Sequence, residues 1–282
     1  EIDFERVPSR ASKIYGGAFI KHETERYKAY LGAVEKGEAK INAATLYPMD
    51  IVKPIEEGTL PVNQYQTYDL LWKNQPDWLK DNPHKGIVIV DTSGSMMGEP
   101  ICVSVSLGIY FAERNVGPFK NAFITFSRDP QLQIISGNTI VEKVRGLSRS
   151  GWQANTNIVA AFDLILNTAV RSKIKQSDMP SHLYIISDMQ FDSAGGSGVN
   201  KTIFQTIQAK YEKAGYNMPK LVFWNVNAIP GQSPVTVNDS GVCLVSGYSP
   251  SILKSVLSAK TITPVDVMLE TINKPRYNTV VV

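Results

Sequence analysis

Two patterns of apolar and polar residues follow one another along the chain, and the change falls near residue 85. Before it, apolar residues recur at helical spacing. After it, short apolar runs alternate with amphipathic segments, which is typical of strands alternating with helices in a mainly parallel sheet. The sequence predicts an α/β fold with a doubly wound, mostly parallel, Rossmann-like sheet in residues 85–282 and a helical N-terminal extension in residues 1–84.

The N-terminal region is predicted to hold helices at 9–20, 23–36 and 62–79, with a short apolar segment after Tyr47-Pro48. The last of these helices carries an aromatic and apolar set that consists of Tyr65, Tyr68, Leu71, Trp72 and Trp78. Aromatic side chains dominate buried contact area. We therefore interpret the set as a docking face for the next domain rather than as a base-stacking platform. The turn residues Asp81-Asn82-Pro83 mark the boundary.

The second region is predicted to contain strands at 86–90, 121–126, 131–136, 183–187, 221–226 and 242–245, and helices at 101–112, 139–144, 158–169 and 201–214, with a loop at 146–157. The strand at 131–136 is expected to be an antiparallel edge. Residues 101–112 fit both a strand and a helix, and the helix is preferred because a parallel strand needs a long crossover. Ser249 and Thr263, each followed by proline, predict two further helix starts.

Composition limits the possible function classes. Hydrophobic residues make up 43% and charged residues 20% of the chain, and the net charge is +3, which is too weakly basic to argue for nucleic acid by itself. No apolar run approaches the ~20 residues of a membrane span, so no membrane partner is expected. Cys102 and Cys243 lie in apolar surroundings and predict buried free thiols, hence a cytoplasmic location. Because Glu1 is not an initiator methionine, a processed or truncated product is expected.

Oxygen-bearing side chains directly follow the strand at 86–90. Asp91, Ser93 and Ser95 alternate around Gly94. Ligands bind beyond the carboxyl ends of strands in open α/β sheets, and oxygen ligands on a tight loop suit Mg²⁺. The alternative interpretation is an ordinary polar turn. Of the next two residues, Met96 and Met97, core packing is expected rather than chemistry.

Two more polar segments are expected at the same edge of the sheet. Asn155, Thr156 and Asn157 precede a predicted helix. Thr156 is a candidate metal ligand, and the alternative is that Thr156 or Asn155 caps this helix. Asp188 directly follows the apolar strand at 183–187, and Asp192 is a competing candidate four residues later.

Together these three segments resemble the metal-ion-dependent adhesion site of von Willebrand factor A domains, over about residues 85–275. The metal ligands that the resemblance implies are Asp91, Ser93, Ser95, Thr156 and Asp188. The serines would bind through their hydroxyls, and the aspartates mostly through water. The ion would be Mg²⁺, or else Mn²⁺ or Ca²⁺, and its remaining position would take an Asp or Glu side chain of a partner protein. The surrounding rim assigned to that partner consists of Met97, Asn155, Asn157 and Gln190.

An A domain of this type after a helical N-terminal region resembles the Ro ribonucleoprotein (TROVE) family, in which a ring of helical repeats carries RNA. The similarity is greatest to a group of Ro-related A-domain proteins, through residues 40–43 before Tyr47-Pro48 and through residues 185–192. Some eighty residues are too few for a closed ring of repeats. RNA binding through a ring is therefore expected only if further residues precede this chain.

Three functions remain open at this point. The first is a non-enzymatic, metal-dependent scaffold that binds an acidic side chain of a partner. The second is a Ro-like RNA-binding scaffold, for which scattered basic residues are available, although such charges more often form a solvated surface. These basic residues are Arg145, Arg149, Arg171, Lys173 and Lys175. The third is a structural assembly subunit whose metal site is vestigial.

An enzyme is not expected. Asp91 lacks the second acid of a phosphoaspartate site, because Ser93 stands two residues on. A Ser/His/Asp hydrolase needs a histidine, but His22 lies in a charged helix, His84 in the linker and His182 at the base of a strand. Neither a Gly-x-Gly-x-x-Gly motif nor a phosphate loop with lysine is present.

Overall fold

The computed structural model describes residues 2–80, 85–125, 127, 129–148, 157–188, 201–227, 242–249, 252–253, 269 and 272–273. Within them six strands form one sheet in the order β3-β2-β1-β4-β5-β6. The strands are β1 (Gly86–Val90), β2 (Ala122–Thr125), β3 (Leu132–Ile134), β4 (His182–Ser187), β5 (Lys220–Asn225) and β6 (Val242–Ser246). Every neighbouring pair is parallel except β2 with β3. The predicted doubly wound, mostly parallel α/β sheet and its antiparallel edge are confirmed.

The described helices surround this sheet. They are α1 (Ser9–His22), α2 (Thr24–Glu35), α3 (Pro48–Glu56), α4 (Tyr65–Lys73), α5 (Glu99–Arg114), α6 (Ile140–Ser148), α7 (Ile158–Arg171) and α8 (Lys201–Lys213). The preference for a helix over residues 101–112 is confirmed by α5. Ile252 N donates to Ser249 Oγ at 3.2 Å, as expected for a helix cap. The predicted helix start at Thr263 lies outside the described residues.

Two helix predictions were wrong in their extent. The helix predicted over residues 62–79 is a 3-10 turn at Val62–Gln64 followed by α4, which ends at Lys73. Proline disfavours helical geometry in the residue before it, and Pro76 follows this end closely. Residues 146–148, predicted as loop, belong to α6. The one hydroxyl proton of Ser148 is shared between Val144 O, 2.8 Å from Oγ, and Glu56 Oε2, 2.6 Å from Oγ, and the contact with Glu56 fastens this last turn of α6 to α3.

The sheet is buried on both faces. Side chains of a strand alternate between its faces, and β1 shows this directly. Ile87 and Ile89 join the core beneath α7 and α8, whereas Val88 and Val90 join the core shared with α5 and the N-terminal helices. A strand covered on both sides needs a continuous apolar run, which explains the four consecutive β-branched residues of β1.

The N-terminal region packs on α5, which covers the sheet, through the predicted aromatic set. Tyr68, Leu71 and Trp72 are buried, and Tyr65 and Trp78 pack against the same core. Trp72 Nε1 donates to Glu113 Oε2 at 2.7 Å, so the contact with α5 includes a hydrogen bond as well as apolar area. The predicted docking face is confirmed. The domain boundary at residue 84 stays a prediction.

Cys102 is buried on α5, and burial raises the pKa of its thiol to about 11. This agrees with the predicted buried free thiol, while the side chain of Cys243 lies outside the described residues. The cytoplasmic location stays a prediction. None of the described helices combines the length and the apolar character needed to cross a membrane.

Gly108 marks the closest approach of α5 to the sheet. A Cβ built at Gly108 would lie 2.5 Å from Val90 Cγ2, closer than van der Waals contact allows. We expect Gly108→Ala to lower the free energy of unfolding by about 1–3 kcal/mol, because overpacking shifts the helix away from β1. Urea unfolding measures this change.

Gly32 on α2 is the matched control, because a Cβ there would meet no atom within 4 Å. Gly32→Ala should raise stability by up to about 1 kcal/mol through helix propensity alone. Equal effects of the two substitutions would contradict the packing argument.

Candidate metal site

Pairing between β1 and β4 brings the first and third polar segments together. Val90 lies opposite Ile186 in the parallel register, and Asp91 N continues the ladder by donating to Ile186 O at 3.3 Å. Asp91 therefore leaves the sheet beside Ser187, the last residue of β4, and beside Asp188, which follows it. These residues stand at the switch point of the sheet, where strand order reverses and ligands bind in open α/β folds.

The loop after β1 has a defined conformation. Ser93 N donates to Asp91 Oδ1 at 2.9 Å, a turn that aspartate side chains commonly stabilise. A 3-10 turn at Gly94–Met96 follows. This turn sets the Ser93 and Ser95 hydroxyl oxygens 3.1 Å apart. Two of the predicted ligands thus present their hydroxyls side by side, next to the carboxylate of Asp91.

Met96 and Gly98 hold this loop in place. Met96 is fully buried and anchors the loop in the core. Gly98 has φ 92° and ψ −130°, a conformation suited to glycine, and it leads directly into α5. Ser104 Oγ on α5 donates to Ile186 O at 3.2 Å, which ties the helix that follows the loop to β4. The hydroxyls are consequently presented by a rigid support.

Asp91 is buried without full hydrogen bonding. Its side chain is 0% exposed, and Oδ2 has no hydrogen-bond partner among the described residues. Burial raises the pKa of Asp91, an effect that hydrogen bonds from Ser187 and Ser93 oppose and that the neighbouring charge of Asp188 slightly increases. No lysine or arginine of the described residues forms an ion pair with Asp91. A buried, charged carboxylate without full hydrogen bonding lowers the stability of the fold unless a cation compensates its charge.

The middle segment is described only from Asn157 onward. Asn157 N donates to Ser127 O at 3.3 Å, which brings the start of α7 to the same edge of the sheet, just beyond β2. Asn157 Oδ1 accepts from Ala160 N at 3.0 Å, so Asn157 is the helix N-cap, a role for which the sequence offered Thr156 or Asn155 instead. Asn155, Thr156, Gln190 and the competing Asp192 lie outside the described residues.

Met97 does not pack in the core, although the sequence predicted that both Met96 and Met97 would. Met96 packs there as predicted, but Met97 is 79% exposed at the tip of the loop. The core prediction for Met97 was wrong because the 3-10 turn at Gly94–Met96 directs successive side chains to different sides. Its rim assignment stays a prediction, as does that of Asn157.

Sequence reasoning missed three buried serines that support the site. Ser187 lies beside Asp91 and lowers its pKa, the Ser104 hydroxyl donates to Ile186 O in β4, and Ser127 accepts from Asn157 N through its backbone carbonyl. A signal existed for Ser187 and Ser127, because each follows an apolar strand at its carboxyl end. Ser104 lies in the middle of a helix, and nothing in the sequence sets it apart.

The donor set fits a hard cation better than a soft one. The described residues contain no group of three or more His, Cys, Asp and Glu side chains that would hold a metal by themselves. What they do bring together is the carboxylates of Asp91 and Asp188 with the hydroxyls of Ser93 and Ser95. Oxygen ligands of this kind suit Mg²⁺, which keeps several of its waters when bound. The observation in favour of a cation is the unpartnered Oδ2 of Asp91.

The described histidines lie away from this edge. His22 is exposed at the end of α1. His182 begins β4, and Asp188 follows the other end of that strand, about 20 Å away at the usual rise per residue. His84 lies outside the described residues. Neither described histidine can therefore act as a base for Ser93 or Ser95 in this arrangement.

Residues 85–277, which include the whole described part of this edge, match the family model "Domain of unknown function (DUF7788)". The chain belongs to the DUF7788 family. Residues 1–84 match a second model, "Domain of unknown function (DUF2828)".

A viral protein and a bacterial structure are similar to this DUF7788 chain. Uncharacterized protein L728 of Acanthamoeba polyphaga mimivirus is 32% identical over 296 residues, which cover 95% of this chain and 49% of that protein. This chain thus spans about half the length of that relative. The crystal structure of the Ro (RSR) protein of Deinococcus radiodurans matches 84% of this chain and 49% of its own, at 15% identity and a TM-score of 0.49.

Replacing Asp91 by asparagine tests whether its carboxylate is destabilising in the absence of metal. Asp91→Asn keeps the side-chain volume and the acceptor for Ser93 N but removes the buried charge. In the presence of a chelator we expect urea unfolding to show equal or higher stability, by about 1 kcal/mol, because the desolvation penalty is relieved.

Asp69→Asn is the matched control. Asp69 is also buried, but Oδ1 accepts from Ile140 N at 2.9 Å and Oδ2 pairs with Lys73 Nζ at 2.7 Å. This substitution should lower stability by about 1–3 kcal/mol. A comparable loss for Asp91→Asn would show that Asp91 is a structural residue satisfied within the protein.

Proposed function

We propose that this chain is a non-enzymatic, metal-dependent binding domain, whose divalent cation recognises an acidic side chain of a partner protein. Ser93 and Ser95 would bind the ion through their hydroxyls, and Asp91 and Asp188 mostly through water. Mg²⁺ is the preferred ion, with Mn²⁺ and Ca²⁺ as alternatives, since all three accept oxygen ligands. Thr156 completes the proposed ligand set.

The unpartnered Oδ2 of Asp91 carries this proposal. It is buried in a carboxylate that directly adjoins the paired hydroxyls of Ser93 and Ser95. An ordinary polar turn would expose such a carboxylate to water, where it needs no compensation. A cation next to Asp91 would instead compensate its charge and that of Asp188.

Recognition of an acidic partner follows from the neutral character of three of the five proposed donors, which are hydroxyl groups. Hydroxyl ligands leave the charge of the ion unchanged, and aspartates that act through water neutralise it incompletely. The ion would then attract one further carboxylate. Met97, which is 79% exposed on the same loop, would give the partner an apolar contact beside it.

Calorimetric titration with Mn²⁺ and Mg²⁺ tests the metal site. We expect the wild-type chain to bind one ion, and the double variant Ser93→Ala, Ser95→Ala and the variant Asp91→Asn to bind at least about tenfold more weakly, because each removes a charge-assisted oxygen contact. Thermal unfolding should show the same difference, since at a hundredfold excess over Kd a ligand stabilises by about 2.7 kcal/mol.

Ser172→Ala supplies the control, because Ser172 is an exposed hydroxyl at the end of α7, on the opposite edge of the sheet. Its metal binding should equal that of wild type. Water-proton relaxation of the Mn²⁺ complex, measured with added acetate as the carboxylate probe, would report an open coordination position. Equal metal binding by wild type, the double serine variant and Asp91→Asn would reject the proposed site.

RNA binding stays a prediction from the sequence. Arg145 is engaged within the protein, where its guanidinium donates to Tyr65 Oη at 2.6 Å and lies over the Tyr65 ring. Arg171, Lys173 and Lys175 are exposed at the end of α7, far from the metal edge, and Arg149 lies outside the described residues.

A further inference from the structure

A polar cleft, separate from the candidate metal site, lies at the opposite end of α5. It has a volume of about 400 Å³ and is lined by residues of α4, α5 and α6, by Gln75 and Asp77 after α4, and by Asn121 before β2. Helix α5 begins just after the Asp91 loop and ends at Arg114. Its 16 residues span about 24 Å, so the cleft and the metal edge are separate sites.

Arg114 projects into this cleft in a fixed orientation. Its guanidinium lies over the Tyr110 ring, 3.8 Å from the centroid, and near Trp72 at 5.8 Å. The side chain is only 11% exposed. Stacking on aromatic rings stabilises the charge and sets the plane of the guanidinium, which leaves its edge of N–H donors available for a ligand.

No acceptor satisfies this guanidinium among the residues that the structure describes. Its nearest carboxylate oxygens are Glu113 Oε2 at 3.8 Å and Asp77 Oδ1 at 4.0 Å, both beyond hydrogen-bond distance. A well-oriented arginine that is mostly buried normally forms several hydrogen bonds. The N–H donors of Arg114 therefore lack a hydrogen-bond acceptor, and the described residues of the cleft do not supply one.

The other charges around the cleft are already paired. Glu113 accepts from Trp72 Nε1 at 2.7 Å and lies 2.6 Å from Lys143 Nζ. Lys73 Nζ pairs with Asp69 Oδ2 at 2.7 Å. Because these charges cancel locally, the charge left for a ligand is the positive charge of Arg114, with the half-exposed Asp77 opposing it.

Asn121 adds a second donor in the same cleft. Its backbone has φ 59°, a left-handed conformation that asparagine tolerates. It is held there because its N donates to Ala112 O at 2.7 Å and its O accepts from Ile135 N at 2.8 Å. The Asn121 side-chain amide has no hydrogen-bond partner among the described residues, so it is available at the wall of the cleft.

We infer that this cleft binds an oxyanion, a phosphate or carboxylate group of a small ligand, through the guanidinium of Arg114 with help from Asn121. A guanidinium matches two oxygens of either group through parallel N–H donors, which a lysine cannot do. The aromatic rings beside Arg114 are buried, with Tyr110 at 0% and Trp72 at 2% exposure, so they position the arginine and are not a stacking surface for the ligand.

Titration of the whole chain with inorganic phosphate and, separately, with acetate tests this inference. Tryptophan fluorescence is the readout, because Trp72 lines the cleft. Ionic strength is kept constant so that general screening does not change. The wild-type chain should bind at least one of the probes saturably, and the preferred probe distinguishes a phosphoryl ligand from a carboxylate ligand.

Three variants separate the role of Arg114 from general charge and from folding. Arg114→Lys keeps the positive charge but loses the parallel N–H donors of the guanidinium. This variant should bind the preferred anion at least about tenfold more weakly than wild type. Arg171→Lys, on an exposed helix end, should bind as wild type. Asp77→Asn removes the opposing charge and should tighten binding by about three- to fivefold, a gain that a misfolded protein would not show.

The inference is overturned if the wild-type chain binds neither phosphate nor acetate, or if Arg114→Lys binds as tightly as wild type. Unchanged or weaker binding by Asp77→Asn would likewise exclude Arg114 as the anion contact. Loss of metal binding in Asp91→Asn does not bear on these outcomes, because the phosphate and acetate titrations are made without divalent ions.

Discussion

The parallel pairing of β1 with β4 is the interaction on which the proposed site depends. These strands are adjacent in space although about ninety residues separate them in the chain. Their register sets Asp91 beside Ser187 and Asp188, and the backbone bond from Asp91 N to Ile186 O continues that register past the end of β1. A shift of one residue would turn every side chain of β1 to the other face. Burial of β1 on both faces opposes such a shift.

Burial gives Asp91 its chemical character. An exposed aspartate in a polar turn keeps its hydration and is indifferent to cations at ordinary concentrations. At 0% exposure Asp91 has lost that water, and hydrogen bonds from Ser93 and Ser187 replace only part of it. The rigid support from Met96 and from Ser104 on α5 prevents the loop from relaxing outward. Under the proposed function, a bound divalent ion compensates the hydration that the Asp91 carboxylate has lost, and this compensation contributes to the affinity for the ion.

Helix α5 connects two chemically opposite ends of the molecule. Its start follows a loop rich in oxygen donors, and its end carries Arg114, held against Tyr110 beside the N-terminal helices. The packing of α3 and α4 on α5 therefore does more than cover an apolar face. It builds the walls of the cleft around Arg114, because Trp72 and Lys73 come from α4 while Glu113 and Arg114 come from α5. Neither region alone would form this cleft.

The sequence by itself determined the class of fold, because the period of apolar residues distinguishes strands from helices locally. The run at Ile87–Val90 and the aromatic set at 65–78 follow from such local patterns. The helix at 101–112 follows instead from the length of chain that a parallel crossover needs. The structure confirms each of them. The sequence also singled out Asp91, Ser93 and Ser95, since oxygen-bearing side chains at alternate positions after a buried strand can be read from the chain itself. Helix ends were less predictable: α4 stops at Lys73 and α6 continues to Ser148 because of contacts and prolines nearby.

Only the tertiary structure decided the state of these groups. That Asp91 Oδ2 is buried without a partner, that Met97 points outward beside the buried Met96, and that Arg114 lacks an acceptor are results of packing between distant segments. The period of apolar residues shows which face of a helix or strand is buried. Solvation and hydrogen bonding depend instead on which atoms other elements bring within about 3 Å, and that information is spread over the whole chain.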